Sequence, residues 1–540
     1  MRKNKFFIKY ILLCTVSIVS LLCACNKDPK QFSAPYESGI APLDVELNPT
    51  NKLMPEEGAA GIETVLKVKG LDRYKDKVVF RFNGQVAQIV EITADQIKVK
   101  VPPFASTGVT SITIDDIIFF GPIFKVDGFV DLDPTFQVGV GTNGTVFNSL
   151  SLEDGRVIYV GDFTNYNRKG TVRPINRIVR TYMDGTYDAS FRTGKGANGG
   201  LASVLRIGNN YFVGGSFSGY DQRGDNINNM TSLLLTGSID TMGIRPFRRP
   251  DQKDTLKYYP RFNGGFNSAV SQMYDAGGKI IASGNFRYYI SRRYDKPNKL
   301  ETRDSVILDS VEIRHIARLN LDGSLDKSYR FKPDGTPFVG ANGYVNTMRH
   351  QEGTMAGKII VFGTFTSFDG QKVGNITRLN PDGTIDPTFN PDAAGADYTI
   401  YEVTYNSVTD KYIVVGDFNN FNGISTPRMV VLNANGSVYQ GFKPFVFEGG
   451  NPNFAQQLKD GLIVVSGSFL RYNGIVRSGF MILNPDGSLH PNYNNTGLFD
   501  GSIYKIVETE TEDRKRALLI MGRIRLFNNE QVGNLIRIKL

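Results

Sequence analysis

The chain has 540 residues, of which 57 are glycine and three are cysteine, and it carries a net charge of +9. This length allows more than one domain and an apolar core large enough to stabilise the fold without cross-links. The charge is small for such a length and gives no indication of nucleic-acid binding.

The N-terminus has the pattern of an export signal. The first ten residues contain four cations and no acid, and the apolar run 10–22 follows them. This run is short for a membrane-spanning helix but typical of the h-region of a secretory signal. We therefore expect residues 1–24 to be a signal peptide, whose removal lowers the net charge from +9 to +5.

The segment Leu22-Cys23-Ala24-Cys25 resembles a bacterial lipobox. That resemblance implies cleavage after Ala24 and lipidation of Cys25, although a transmembrane anchor and an ordinary signal remain alternatives. Cys25 is then the only cysteine of the mature chain, which excludes an internal disulfide and a thiolate metal site. Residues 25–45 are polar, contain three prolines and are expected to form a tether.

Alternating apolar and polar residues follow the tether and predict a small antiparallel β-sandwich over residues 46–127. The pair Asn83-Gly84 suits a tight hairpin turn between two of the runs. The predicted strands are 64–69, 77–82, 85–90, 96–101 and 110–114.

The order of features in this region resembles the IPT/TIG immunoglobulin-like family. The resemblance implies a spacer or docking module without chemistry of its own. It depends on Pro55-Glu-Glu-Gly58, Val68-Lys-Gly70, Val79-Phe-Arg-Phe-Asn-Gly84, Val99-Lys-Val-Pro102 and Thr107-Gly108.

Two sequence blocks recur through residues 128–540 and indicate a repeat architecture. The second block is a strand, an Asx-Gly turn and another strand, as in Arg378-Leu-Asn-Pro-Asp-Gly-Thr-Ile-Asp-Pro-Thr-Phe389. The first block is Gly-x-Phe-x-x-aromatic, with a degenerate seventh copy. Its copies begin at Gly161, Gly215, Gly284, Gly363, Gly416, Gly467 and Gly522.

Each repeat predicts four short strands, and four-stranded units arranged radially make a β-propeller. The last repeat ends after its third strand at Leu535–Leu540, whereas Asp131–Phe136 matches a fourth strand and has no repeat of its own. We expect these segments to pair and close a ring of seven blades, with six or eight as alternatives. The repeats resemble the delta-60 family of bacterial propeller repeats.

The repeated acids are predicted to be turn caps rather than catalytic carboxylates or calcium ligands, because an active site is usually built once. They are Asp322, Asp382 and Asp486 in the turns and Asp326 and Asp386 beyond them. His315, His350 and His490 lie in different repeats and have no zinc-ligand spacing. No metal, cofactor or catalytic residue is therefore predicted, and the phenylalanines that recur in the repeats are assigned to the core.

Spacing between repeats identifies a candidate binding site. Most neighbouring repeat glycines lie 51 to 55 residues apart, but the third glycine follows the second by 69 residues and precedes the fourth by 79. Long loops on a rigid scaffold often carry function, and Tyr and Arg are frequent at binding hot spots. We expect the two insertions to lie side by side and to supply Tyr258, Tyr259, Arg261, Tyr288, Tyr289, Arg292, Arg293 and Tyr294.

The combination of a lipobox, a TIG-like domain and these repeats resembles outer-membrane lipoproteins of Bacteroidetes-type bacteria. It implies a lipid-anchored protein at the cell surface that captures a glycan or peptide for an outer-membrane transporter complex. The absence of tryptophan weakens the glycan interpretation, since sugars often stack on that side chain. A propeller-fold hydrolase or lyase and a structural docking lipoprotein remain alternatives.

Overall fold

The computed structural model describes residues 43–48, 50–172, 174–223, 226–245, 256–294, 307–391 and 394–540. Regular structure in these residues is β-strand, apart from two short 3₁₀ helices at Leu71–Tyr74 and Gly353–Met355. The all-β class predicted from the sequence is therefore confirmed for the described chain. The predicted signal peptide, Cys25 and most of the tether lie outside the described residues.

Nine strands form two sheets between residues 53 and 126. One sheet has the order β1-β3-β7-β6 and the other the order β2-β9-β8-β4-β5. The strands are β1 (Leu53–Met54), β2 (Glu57–Gly58), β3 (Glu63–Lys67), β4 (Val78–Phe82), β5 (Gln85–Val86), β6 (Gln88–Ile92), β7 (Gln96–Lys100), β8 (Gly108–Ile114) and β9 (Ile117–Val126).

Period-two alternation explains the core of these sheets. In β4 the buried residues are Val78, Phe80 and Phe82, while the two between them are partly exposed. Asn83 and Gly84 both have positive φ, at 42° and 82°, so the predicted tight turn joins β4 to β5. The sequence did not predict β9, which lengthens the second sheet beyond the five expected runs.

Seven main antiparallel sheets, which we number sheet 1 to sheet 7, follow along the described chain together with five smaller sheets. The strands up to sheet 4 are β10 (Asp131–Leu132), β11 (Val146–Ser151), β12 (Val157–Gly161), β13 (Ile178–Thr181), β14 (Leu201–Ile207), β15 (Asn210–Gly215), β16 (Met230–Leu234), β17 (Thr241–Ile244), β18 (Lys257–Pro260), β19 (Val270–Asp275), β20 (Ile280–Gly284), β21 (Tyr288–Arg293), β22 (Ile307–Glu312), β23 (Ile316–Leu319), β24 (Tyr344–Arg349), β25 (Ile359–Thr364), β26 (Ser367–Phe368), β27 (Gln371–Lys372) and β28 (Ile376–Leu379).

The remaining strands belong to sheets 5 to 7. They are β29 (Ile400–Asn406), β30 (Lys411–Gly416), β31 (Asn420–Phe421), β32 (Ile424–Ser425), β33 (Met429–Asn433), β34 (Phe447–Glu448), β35 (Pro452–Gln457), β36 (Ile463–Gly467), β37 (Arg471–Tyr472), β38 (Ile475–Val476), β39 (Phe480–Leu483), β40 (Asp500–Glu510), β41 (Arg516–Phe527), β42 (Glu530–Gln531) and β43 (Leu535–Lys539).

Each sheet has a first, a second and a third strand, in that order. They are β11-β12-β13, β14-β15-β16, β19-β20-β23, β24-β25-β28, β29-β30-β33, β35-β36-β39 and β40-β41-β43. The first strand of each sheet contacts the first strand of the next, and β40 of sheet 7 contacts β11 of sheet 1. The fold is of the propeller type, with the first strands around the axis.

The apolar core lies between neighbouring sheets. One cluster joins Ile158 and Ile178 of sheet 1 to Val204 and Val213 of sheet 2, and similar clusters join the other pairs. The repeated phenylalanines of the Gly-x-Phe block are buried in this core, as the sequence predicted. They are Phe163, Phe217, Phe286, Phe365, Phe418 and Phe469.

The two ends of the repeat region pair with each other. Asp131 and Leu132 of β10 lie opposite Lys539 and Ile538 of β43, so β10 is the fourth strand of sheet 7. The predicted pairing is present but covers two residues rather than six.

The predicted fourth strand of the other sheets is reduced to one bridge each, which corrects the expected four-stranded units. In sheet 4 the bridge is Leu379 to Ile385. The carboxylate of Asp386 then accepts hydrogen bonds from the backbone N–H and the hydroxyl of Thr388, at 3.0 and 2.6 Å. This local turn bends the chain out of the extended conformation and ends the pairing.

Asp386 and its equivalents also form buried ion pairs, which extends the prediction that they are turn caps. Arg378 Nε donates to Asp386 Oδ2 over 2.7 Å, and the guanidinium lies 4.8 Å from the ring centre of Phe389. The same arrangement joins Arg180 to Asp188, Arg318 to Asp326 and Arg537 to Asp133. The turn acids Asp322, Asp382 and Asp486 do cap their turns, through the Ser or Thr two residues later.

The N-terminal sheets contact sheets 6 and 7. The backbone N–H of Thr107 donates to the carbonyl of Asn495 over 2.9 Å. Arg477 Nη2 donates to the carbonyl of Phe104 over 3.0 Å. Both contacts involve connections between strands, so they leave the strands of the two sheets undisturbed.

Candidate functional site

The described parts of the two predicted insertions pair as β-hairpins, whereas residues 246–255 and 295–306 lie outside the described residues. The first, β17–β18, interrupts the closing motif of sheet 2 between Asp240 and Phe262, which correspond to Asp386 and Phe389 of sheet 4. The second, β21–β22, is a longer version of the short hairpins β26–β27 and β31–β32 that join the second and third strands of sheets 4 and 5.

The two hairpins lie side by side, as the sequence analysis expected. The rings of Tyr259 and Tyr294 are 4.5 Å apart between their centres. The side-chain amide of Asn263 donates to the carbonyl of Arg292 over 2.9 Å and accepts its backbone N–H over 2.9 Å. The spacing of the repeats therefore located two neighbouring elements, although it does not show that they bind a ligand.

Most of the predicted side chains in this patch are engaged within the protein. Arg261 pairs with Asp240 at 3.1 Å, and Arg293 pairs with Asp309 at 2.9 Å. Tyr258 is 53% exposed and is the most accessible aromatic side chain among the described residues of the two hairpins. The guanidinium of Arg292 donates to Asn228 over 3.1 Å, whereas Tyr288 lies beneath Arg287.

Tyr289 is a repeat core residue rather than a ligand contact, which corrects its place in the predicted site. It is buried, and its hydroxyl donates to the carbonyl of Gly323 over 2.9 Å. Tyr220 and Tyr472 make the same bond to Gly237 and Gly487 in their own sheets. This tyrosine is the last aromatic residue of the Gly-x-Phe block and ties the hairpin to the Asp-Gly turn.

Two cavities lie along the axis, and neither is lined by the hairpins. The larger has a volume of about 720 Å³ and is lined by Asp162 and Glu402 but by no Lys, Arg or His. We call it the acidic cavity. The smaller, of about 410 Å³, is lined by cations and acids and is called the mixed cavity. Its lining includes the cations Arg349 and Lys505, the acids Glu352 and Glu402, and His350.

One position of the first strand differs from sheet to sheet. In each sheet this residue lies opposite the second-strand residue that immediately precedes the repeat glycine. Six of its seven occupants line one or both cavities, while Ser203 is buried and accepts the backbone N–H of Met273. We call these residues the axial set: Asn148, Ser203, Gln272, Asn346, Glu402, Phe454 and Lys505.

Glu402 and Lys505 are the charged members of the axial set. Burial raises the pKa of Glu402 to about 8, although a hydrogen bond from the N–H of Val403 acts against this shift. Burial lowers the pKa of Lys505 to about 8. Lys505 donates to Asn148 Oδ1 over 2.7 Å and to the carbonyl of Ser149 over 2.9 Å.

His350 lines the mixed cavity and belongs to a buried polar network. One ring nitrogen, Nε2, lies 2.8 Å from the hydroxyl of Tyr412, which also accepts a bond from Arg378 over 3.3 Å. Burial is the main reason that the pKa of His350 falls to about 4, and the nearby Arg378 lowers it further. His350 is therefore neutral at physiological pH.

Exposed aromatic rings surround the acidic cavity. Tyr344 is 55% exposed, Tyr401 38% and Tyr504 48%, and the ring of Tyr504 meets that of Phe147 edge-on with 5.4 Å between centres. Amide side chains of the axial set lie between them, including Gln272. Aromatic rings beside amides form a surface that can stack on a sugar ring and hydrogen-bond its hydroxyls.

No group of three or more His, Cys, Asp or Glu side chains among the described residues is placed to hold a metal ion. Among the same residues, no helix combines the length and the apolar character needed to cross a bilayer.

The sequence analysis missed the axial set. A β-bulge precedes the axial residue in six of the seven sheets and shifts the residue that faces the axis. Because a one-residue shift turns a strand's side chains to the opposite face, the alternation alone could not identify these positions. A usable signal was the position itself, whose residue type changes from repeat to repeat.

A family model described as a domain of unknown function (DUF5122) β-propeller matches four segments of the chain. The segments are 152–191, 357–389, 409–442 and 458–492. They lie in sheets 1, 4, 5 and 6 and support the β-propeller assignment. No curated protein matches the sequence.

Solved structures similar to the chain include natural and designed proteins. The computationally designed Ika8 protein is 8% identical with a TM-score of 0.38, over 81% of this chain and 92% of the designed one. An auxiliary nutrient binding protein from Bacteroides thetaiotaomicron is 12% identical with a TM-score of 0.30, over 91% and 98%. One from Bacteroides ovatus is 11% identical with a TM-score of 0.19, over 68% and 96%.

Proposed function

We propose that this protein is a non-catalytic binding protein that holds a glycan in the acidic cavity. The observation that carries the proposal is the group of exposed aromatic rings, Tyr344, Tyr401 and Tyr504, around a cavity lined by amide side chains. Tyrosine supplies a flat apolar face with a polar end, and it replaces the tryptophan that the chain lacks.

We infer that the scaffold is a seven-bladed ring closed by β10 and β43, preceded by an immunoglobulin-like module of the IPT/TIG type. The contact between β40 and β11 and the seven successive sheets support the ring. The two sheets between residues 53 and 126, which are antiparallel except for the pairing of β2 with β9, support the module. We assign residues 46–127 to the module and 128–540 to the ring.

We further propose that Cys25 is lipidated and that the anchor holds the protein on the outer membrane, facing the cell exterior beside a transporter complex. The support is the sequence Leu22-Cys23-Ala24-Cys25 after a charged and apolar N-terminus. A surface anchor suits a binding protein because it keeps the captured ligand near its route of entry.

The arrangement of acids argues against a glycosidase in this cavity. Most glycoside hydrolases use two carboxyl groups that flank the scissile bond. Glu402 is the only carboxylate of the axial set, and Asp162, the other acid of the cavity, forms an ion pair with Arg177. We therefore propose binding without cleavage.

A glycan array with the full chain tests this proposal. We expect the Tyr401→Ala and Tyr504→Ala variants to weaken binding at least tenfold, because each removes a ring that faces the cavity. Tyr182→Ala is the matched control, since Tyr182 is 49% exposed but lines neither cavity. No bound glycan on the array, or equal loss in the control, would refute the proposal, and measurable cleavage of a bound glycan would replace it with an enzymatic function.

The hairpin patch is the second candidate location. It is favoured by the contact between Tyr259 and Tyr294, which places two insertions of unlike sequence together beside the exposed Tyr258. The variant Tyr258→Ala, measured on the same array, distinguishes the locations. Loss of binding in this variant, with full binding in Tyr401→Ala, would move the site to the hairpins.

A further inference from the structure

The charge of the residues that line the acidic cavity differs in sign from the net charge of the whole chain. The whole chain carries a net charge of +9, but no cationic side chain lines the cavity. The cations on the axis, Arg349 and Lys505, line the mixed cavity instead. The two cavities share Glu402, Gln272 and Tyr504, so the axial space runs from an acidic to a more basic lining.

Glu402 is the acid of this cavity that has no counter-ion among the described residues of the protein. Asp162 is paired with Arg177, whereas Glu402 has no ion-pair partner among the described residues and accepts a bond of 3.3 Å from the N–H of Val403. Its side chain is partly exposed to the cavity. A buried carboxylate without a cationic partner is costly, and a cation brought by a ligand would compensate it.

We propose that the ligand of the acidic cavity is a glycan with an unacetylated amino sugar, whose protonated amine binds the carboxylate of Glu402. This inference rests on the proposed glycan-binding function and specifies its ligand class. The ring faces of Tyr401 and Tyr504 line the same cavity, and aromatic faces also attract ammonium groups. Gln272 and Asn346 are placed to bond the neutral hydroxyls of the same sugar chain.

Proton linkage provides a signature of this contact. Burial raises the pKa of Glu402 to about 8, so at neutral pH its carboxyl is largely protonated before the ligand binds. An ammonium group favours the carboxylate and should release the proton, whereas a neutral sugar should not. None of the other described titratable or charged residues that line the two cavities forms an ion pair with Glu402. These residues are Asp162, Tyr274, Tyr344, Arg349, His350, Glu352, Tyr401, Tyr405, Tyr504 and Lys505.

The experiment compares two tetrasaccharides by isothermal titration calorimetry with the full chain at pH 6.5. One is a glucosamine tetramer and the other is the same tetramer fully N-acetylated. We expect the glucosamine tetramer to bind at least tenfold more tightly and to release a proton, seen as a difference in heat between buffers of unlike ionisation enthalpy. Proton release is measured on the unaltered chain and does not depend on whether a variant folds.

The variant Glu402→Gln keeps the shape of the side chain but cannot become charged. We expect it to lose both the preference for the glucosamine tetramer and the proton release, and to keep its affinity for the acetylated tetramer. Glu352→Gln is the matched control, because Glu352 lines the mixed cavity only, and it should behave like the unaltered chain.

Each other outcome overturns the inference in a recognisable way. Equal affinity for the two tetramers, or a preference that survives Glu402→Gln, refutes the role of the amine but leaves glycan binding intact. Binding of a lysine-rich peptide without binding of either tetramer refutes the ligand class. Failure of every glycan on the array refutes the proposed function together with this inference.

Discussion

A buried ion pair joins the two ends of the repeat region beside the pairing of β10 with β43. Arg537 Nε lies 2.5 Å from Asp133 Oδ2, and their side chains are 4% and 1% exposed. The same guanidinium donates to the hydroxyl of Thr135 over 3.1 Å and lies 4.8 Å from the ring centre of Phe136. The variant Asp133→Asn removes the negative charge but leaves the shape and one acceptor oxygen.

The expected cost follows from this geometry. The new amide group would face the Nε–H of Arg537, and a buried guanidinium would lose its counter-ion, a change that typically costs about 3–5 kcal/mol. With an unfolding entropy of about 2 cal/mol/K per residue, a cost of this size over about 400 residues lowers the melting temperature by roughly 5 °C. Urea or thermal unfolding followed by circular dichroism measures it.

Two matched variants distinguish the cost of losing a buried ion pair from the cost of weakening the pairing between the two ends of the repeat region. Asp386→Asn breaks the equivalent pair with Arg378 inside sheet 4 and should cost a similar amount. Asp131→Asn removes a partly exposed charge from the same segment and should change the stability by less than about 0.5 kcal/mol. Hydrogen exchange at Leu132 should accelerate in Asp133→Asn alone. A cost below about 1 kcal/mol in that variant would refute the reasoning.

Three other changes have defined outcomes. Tyr289→Phe should cost about 1–2 kcal/mol, since it leaves the buried carbonyl of Gly323 without its donor, and should not alter ligand binding. Stability should fall by up to about 3 kcal/mol between pH 6.5 and 4, where the unfolded chain binds a proton that buried His350 does not, and His350→Gln should remove this fall in urea titrations. Cys25→Ala should move the protein from the membrane fraction to the soluble fraction of lysed cells, and its retention in membranes would contradict the anchor.

The acid responses of Asp133 and His350 have the same sign but occur in different pH ranges, because the folded pKa of each group lies below its unfolded value. Burial raises the pKa of Asp133, but hydrogen bonds from Thr135 and Arg537 outweigh it and hold the pKa below its usual value. Asp133 therefore contributes stability above the unfolded pKa of about 3.9, and the contribution is lost as the pH falls through the folded value. The His350 effect appears at higher pH, so the two contributions separate in one titration.

Much of the fold could be predicted because the repeat carries local signals. The alternation of apolar and polar residues predicted β4 and its neighbours, and Asn83-Gly84 predicted the turn after β4. The resemblance of Asp131–Phe136 to later closing motifs predicted the pairing with β43. The single-bridge fourth strands were missed, because the turn made by Asp386 and Thr388 competes with extended pairing. The strand propensity of a segment does not take account of such a competing turn.

The buried Arg–Asp pairs had a readable signal that the sequence analysis did not use. Arg180, Arg318 and Arg378 each precede their aspartate by eight residues, at the third strand and the closing motif of one repeat. In sheet 7 the arginine is Arg537 and the aspartate is Asp133, so this pair joins the two ends of the repeat region instead of two positions eight residues apart. By contrast, the contacts inside the hairpin patch join distant segments and could not be read from spacing.

Residues that recur from repeat to repeat build the scaffold, whereas residues at positions that vary between repeats are available for binding. The glycine of the second strand, the core phenylalanine and the Arg–Asp pair recur because each sheet must pack against the next in the same way. The axial position has no such requirement, and its occupants include a carboxylate at Glu402, an amine at Lys505 and a phenyl ring at Phe454. Glu402 and Lys505 both have pKa values shifted by burial without an ion-pair partner that stabilises the fold. Buried ionisable groups that the scaffold does not need are the side chains most readily explained by a ligand, which is why the axis rather than the hairpins is the first place to test.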